Sequence, residues 1–132
     1  METFNVSTRS RSQLTDISSQ VGEIIANSGV EEGIAVVYTP HTTAAITINE
    51  NADPSVPGDI SGKMDDVIEK GDPQYRHAEG NSDSHIKSSL FGCSEHLIIR
   101  NGRPVLGTWQ GIFFCEFDGP RTRKVHVQVI GS

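Results

Sequence analysis

Three histidines, His41, His77 and His85, are the residues whose type most invites chemistry. Three neutral imidazoles suit zinc or a similar divalent ion and leave a fourth position open for a water or a substrate oxygen. Their spacing is not that of a zinc finger or of a His-Glu-x-x-His helix, so the competing reading is three surface or capping rings. Glu116 and Asp118 lie two residues apart, on one side of a strand. Such a pair can orient a ligand histidine, hold a hard cation or act as a general base. Equally, it can form ion pairs with Arg121, Arg123 or Lys124 just downstream. Gln110, on the same side, can orient a water, bind substrate or satisfy backbone groups. Arg121, Arg123 and Lys124 form the one dense basic cluster, and Lys87 shares a short helix with His85. A phosphate or pyrophosphate would suit these cations, although charge runs also serve as solvated faces. Asn49 and Glu50 begin a loop close to His41 in sequence and could enter the same pocket. Cys93 and Cys115 read as packed thiols, and His96 and His126 as structural residues within strands.

The elements that must position these groups follow from periodicity. The stretch from Leu106 to Pro120 holds the only Trp and three of the five Phe, and it carries no helix signal. As a strand it sends Trp109, Phe113, Cys115 and Phe117 one way and Gln110, Ile112, Phe114 and Glu116 the other. Both sides are apolar in the middle, which predicts a central strand or one shared between core and subunit interface. Upstream, residues 2–8 read as a strand. A helix led in by Ser12 or Thr15-Asp16 carries Leu14, Ile17, Val21, Ile24 and Ile25 and stops at Gly29. Strands follow over 33–38 and 43–49, and a loop over 49–58. A helix runs over 59–70, with Ile60, Met64, Val67 and Ile68 facing the core. A polar loop spans 71–84, and loops of that length are functional or disordered. A short helix covers 85–91. Strands over 95–100, 105–118 and 124–130 close the chain, the first two joined by an Asn101-Gly102 hairpin. The order βαββααβββ, with strands clustered at the end, predicts one α+β domain over 1–132. Its sheet is mixed, largely antiparallel and sandwich-like, with two to three helices.

Composition narrows the partners. A chain of 132 residues holds one core. With 35% hydrophobic residues and 13 glycines that core is thin, which favours an oligomer. A net charge of −6 argues against nucleic acid. No apolar run approaches a membrane span, and the N-terminus has no signal-like core. Two cysteines with no disulfide pattern suit a cytoplasmic location.

Several stretches together resemble the YjbQ-like family. Its signature is met by Ser94, Leu97, Ile99, Gly102, Gly107-Thr108-Trp109-Gln110 and Ile112. Pro40 to Ala45, Asn49-Glu50, Tyr75 to His77, His85 to Lys87 and Asp118 to Arg121 also look like family motifs. The resemblance covers nearly the whole chain. It implies an α+β fold assembled as a homotrimer and a weak thiamine-phosphate synthase activity. That reaction joins a pyrimidine pyrophosphate to a thiazole phosphate. It strengthens the case for a His41–His77–His85 metal site, for zinc or, with a pyrophosphate substrate, magnesium. Against the synthase stands the lack of a Gly-rich phosphate loop or an Asp-rich magnesium motif. The alternatives are a metal-dependent hydrolase of a small phosphorylated metabolite and a non-catalytic trimer that binds a metal or an anion.

Overall fold

A computed structural model describes residues 1–132. Alternating apolar residues build two antiparallel sheets. In the larger, β1 (Glu2–Ser7), β8 (Thr122–Gly131), β3 (Glu32–Tyr38), β5 (Ser94–Arg100) and β6 (Arg103–Pro104) lie in that spatial order. The smaller is β2 (Gln13–Asp16), β7 (Gln110–Glu116) and β4 (Ala44–Glu50), with β7 in the middle. The larger sheet turns Val6, Ala35, Val37, Leu97, Val125 and Val127 inward, and the smaller meets them with Ala44, Ile46, Ile112 and Phe114. Helix α1 (Ser18–Ser28) adds Val21 and Ile25 to this core. The other face of the smaller sheet buries Ala45, Cys115 and Phe117 against Leu14 and Phe91. Phe91 ends α3 (Ser82–Phe91), and α2 (Ser55–Val67) packs near β2 and β4. The α+β fold is as expected, with every strand pair antiparallel.

The boundaries differ in instructive ways. Residues 13–16 form β2 rather than the first turn of α1, because they pair with residues 113–116 of β7. Leu14 therefore packs on the Phe117 side, while the Ser18 N–H donates to Asp16 Oδ1, 2.8 Å away, at the start of the helix. Gly29 ends α1 in the left-handed conformation, at φ 74°. Helix α2 begins at Ser55, not Asp59. Pro57 falls in its first turn, where a missing N–H costs nothing. Val67, expected in the core, is exposed. The long C-terminal strand is interrupted: Gly107 to Gln110 forms a turn in which the Gln110 N–H donates to the Gly107 carbonyl and Gln110 Oε1 accepts from the Gly107 N–H. Trp109 consequently lies at the surface, 62% exposed. From Gly111 to Phe117 both faces are buried, as the apolar residues on both sides required.

Strand β3 contains Gly33, opposite Gly131 of β8. A Cβ there would run into the Ile130 carbonyl oxygen, so the two backbones approach more closely than a side chain allows. On the solvent side of this sheet Ile34 stands opposite both Ile98 and Ile130, and all three are half or more exposed. No helix is long and apolar enough to cross a membrane.

Candidate functional site

The site forms where three connections meet. Thr39 to Thr43 carries the chain from β3 in the larger sheet to β4 in the smaller. Here Thr39 donates through Oγ1 to the Lys124 carbonyl, 3.0 Å away. The turn from Phe117 to Arg121 leaves β7 for β8. The N-terminus of α3 brings Asn81 and His85. Together they border an open cavity of about 310 Å³, edged by His41, His85, Asp118, Arg121 and Arg123, with Glu79 and Asn81 from the long loop. His77 lies just outside it. Its ring meets that of His85 edge-on, with centroids 5.4 Å apart, and its Nε2 is 3.7 Å from Glu79 Oε2.

Arg123 organises the floor. It is 3% exposed and reaches from β8 across to β7. Its Nε lies 2.9 Å from Glu116 Oε1 and 3.1 Å from Oε2, and its Nη2 bonds Glu116 Oε2 and, at 2.9 Å, Thr43 Oγ1. Nη1 makes no hydrogen bond within the chain, and Arg123 borders the cavity. Glu116 also accepts from Thr8 Oγ1 at 2.7 Å and from the Asp118 N–H at 3.1 Å. A carboxylate so engaged has no lone pair to spare as a base. Glu116 thus takes the ion-pair role set against the catalytic one in sequence, and it holds Arg123 in place. Asp118 is half-buried. Its Oδ2 accepts from Asn81 Nδ2 at 2.8 Å and Arg121 Nη2 at 3.0 Å, while Oδ1 makes no hydrogen bond.

His41 is half-buried, and its Nε2 accepts the Lys124 N–H at 2.9 Å. The proton of the neutral ring is then on Nδ1, and the ring presents a donor to a ligand. Burial pushes this imidazole below the usual 6.5, and the positive charge of Arg123 adds to the push against the opposing Glu116. A folded value below the unfolded one means that the unfolded chain takes the proton more readily. The stability tied to His41 is therefore complete above 6.5 and declines as pH falls below it. Urea unfolding should show a lower midpoint at about pH 5.5 than at about pH 7.5, and His41→Gln should flatten that part of the profile. A variant with an unchanged slope would assign it to other groups.

No three His, Cys, Asp or Glu side chains are arranged to hold a metal ion. His41 has committed its Nε2 lone pair, and His77 and His85 meet as an aromatic edge contact. Within one chain these donors do not close on a single point. Four other expected site residues fall elsewhere. Asn49, Glu50 and Gln110 lie at the far end of the smaller sheet. There Glu50 pairs with Gln110, six positions from the Ala44–Glu116 pair. At about 3.4 Å per residue that is roughly 20 Å from the cavity, a distance that nearness to His41 in sequence conceals. Lys87 points away from it and is fully buried. Its Nζ is 2.6 Å from Asp65 Oδ1 and 3.5 Å from Asp83 Oδ2. Asn81 and Glu79, which do border the cavity, gave no signal beyond the length of their loop.

A second cavity of about 590 Å³ adjoins the first. The two share Pro40, His41, Thr42 and His85. A cleft lined by Met1, Ile24 and Val127 lies elsewhere and holds no imidazole or guanidinium.

Comparisons with known proteins agree along the whole chain. The family described as UPF0047 protein YjbQ-like matches residues 2–132. A UPF0047 protein of Methanocaldococcus jannaschii is 56% identical over 129 residues, covering 98% of this chain and 93% of that one. The UPF0047 protein YugU of Bacillus subtilis is 47% identical, with 99% of each chain covered. A crystal structure of a YjbQ/UPF0047 family protein from Clostridium acetobutylicum superposes with a TM-score of 0.96 at 52% identity, covering 98% of this chain and 100% of that one. A YbjQ-like protein of unknown function from Sulfolobus solfataricus gives 0.94 at 34% identity, covering 99% and 96%.

Proposed function

The chain belongs to the YjbQ-like UPF0047 family, and from that membership we propose that its His41–His85 cavity binds a small phosphate-bearing metabolite on Arg121 and Arg123. One observation carries the reading: Arg123 borders the cavity, is locked by Glu116 and Thr43, and leaves Nη1 without a partner in the chain. A guanidinium fixed before the ligand arrives loses little side-chain freedom on binding, and it suits phosphate oxygens. Arg121 stands beside it, 55% exposed. His41 adds a neutral donor, and the free Oδ1 of Asp118 is the acceptor best placed to take a proton.

The family's weak thiamine-phosphate synthase activity fits this cavity in part. Both substrates of that reaction carry phosphate, and the arginines match the departing pyrophosphate. Without a Gly-rich loop or an Asp-rich motif, it is better read as a side reaction of a site built for another phosphate compound. Hydrolysis of such a compound is the second reading, favoured by Asp118 facing the two arginines. A divalent cation, zinc or magnesium, belongs to the proposal only if a second copy of the chain adds a donor to His77 and His85.

Calorimetric titration with inorganic pyrophosphate tests the reading. Arg121→Ala, an exposed change, should weaken binding by about tenfold or more, the usual scale of a hydrogen bond to a charged group. Equal binding by wild type and variant would remove Arg121 from the site. Equal binding with and without a chelator would remove the cation.

We also propose a homotrimer, in the cytoplasm, where its unpaired thiols suit a reducing medium. The exposed row Ile34–Ile98–Ile130 is the apolar surface that a neighbouring copy would cover. Light scattering should give the mass of three chains, and Ile98→Asp should shift it to one. A wild-type monomer at micromolar concentration would end this part of the proposal.

A further inference from the structure

The cavity beyond His41 and His85 differs in chemistry from the arginine cavity that it adjoins. No Asp, Glu, Lys or Arg lines it. The hydroxyls of Thr39 and Ser88 are spent on the Lys124 and Ala44 carbonyls. Tyr38, Thr42, Ser89 and Cys93 are exposed around it, so their hydroxyls and thiol are open to a ligand. Its volume of about 590 Å³ is in the range of small-molecule sites. One cavity therefore carries charged groups, two arginines with Glu79 and Asp118, while its neighbour is uncharged and hydroxyl-rimmed, and the two imidazoles stand between them.

We propose that this second cavity is a subsite for the uncharged part of the ligand, so that the site as a whole selects phosphomonoesters of neutral, ring-bearing or hydroxylated alcohols. The inference rests on the phosphate reading above: Arg121 and Arg123 take the phosphate, and the ester oxygen lies beside His41 and His85. A free phosphate ion would fill only the first cavity. A bisphosphate with one phosphate at each end of its carbon skeleton would place the second in the uncharged cavity, where nothing neutralises it.

The two cysteines provide the readout. Cys115 is buried, and burial drives its thiol far above the usual range, so it does not react. Cys93 is exposed in the second cavity. Alkylation of the full chain by iodoacetamide, followed by mass spectrometry, therefore reports on that cavity alone. Phenyl phosphate should bind about tenfold more tightly than inorganic phosphate, as expected for burying a ring, and should slow Cys93 alkylation in proportion to its occupancy, by about tenfold when nine-tenths of the sites are filled. Inorganic phosphate at equal occupancy should leave the rate unchanged. Ser89→Trp, an exposed change that fills the cavity, should erase the advantage of phenyl phosphate and preserve phosphate binding. If phosphate binds but phenyl phosphate binds no better and leaves Cys93 reactive, the subsite is refuted and the arginine site stands. If Ser89→Trp retains the full advantage, the subsite is likewise refuted. If neither anion binds, both readings fail.

Discussion

Glu116→Gln lowers the unfolding free energy by about 3–5 kcal/mol, the cost of breaking a buried ion pair from one side. The variant removes the charge that balances Arg123, which is 3% exposed and has no other carboxylate within reach. For a domain with a total stability of about 5–15 kcal/mol, a loss of that size brings part of the population close to unfolding at room temperature. The double variant Glu116→Leu/Arg123→Met separates two effects. Replacing both charges with apolar groups of similar size removes the unpaired ion, so it should recover most of the lost stability. It should not recover pyrophosphate binding, because the guanidinium is gone. Urea titration of the single and double variants checks the first point, and calorimetry the second. A single variant as stable as wild type would mean that Arg123 finds water or another partner, and that the pair does not hold the cavity floor.

Asp83→Ala lowers stability by about 3 kcal/mol or more, for a related reason in a different place. Asp83, at the start of α3, is 1% exposed. It takes Arg11 in a two-pronged bond of 2.9 and 3.0 Å, and lies 3.5 Å from the fully buried Lys87. Its loss strands a buried ammonium that keeps only the half-exposed Asp65. Lys87→Met is the informative contrast: Asp83 keeps Arg11 and Asp65 keeps water, so the cost should be a small fraction of the other. Acid repeats the Asp83 experiment without mutagenesis. Burial alone would raise this carboxyl, but the Arg11 hydrogen bonds and the charges of Arg11 and Lys87 outweigh it, and the net shift is below 3.8. The Asp83 contribution is thus present above 3.8 and lost as pH falls through the depressed folded value. The acid limb should be shallower in Asp83→Ala. Equal costs for Asp83→Ala and Lys87→Met would refute the asymmetry.

The residues that were legible in the sequence share a property: each can be judged from its neighbours in the chain. The aromatic run of β7 is apolar on both sides, so burial between layers followed directly. His41, His85, Asp118 and Arg121 are polar types at element ends, where chain reversals gather side chains. Strand β2 was not legible, since Leu14 and Ile17 fit the stripe of the helix that follows and four residues are too few to show alternation. Asn49, Glu50 and Gln110 were misplaced because a loop's nearness in sequence says nothing about the length of the strand behind it. Lys87 reads as solvated until Asp65 and Asp83, from two different helices, are seen to surround it. The partnership of Glu116 with Arg123 was visible only as one option among three basic residues. Strand alternation past the turn favours Arg123, because it places that side chain inward between the two sheets.

The close approach at Gly33 has a consequence for shape. Ile34 follows it directly, and the carbonyl that blocks any Cβ belongs to Ile130, another member of the exposed isoleucine row. Adding a single methyl group at residue 33 would wedge β8 away from β3 and separate Ile130 from Ile34. The spacing of the two strands beneath that outer surface is thus set by hydrogen, the smallest substituent a backbone can carry, one residue away from the surface itself.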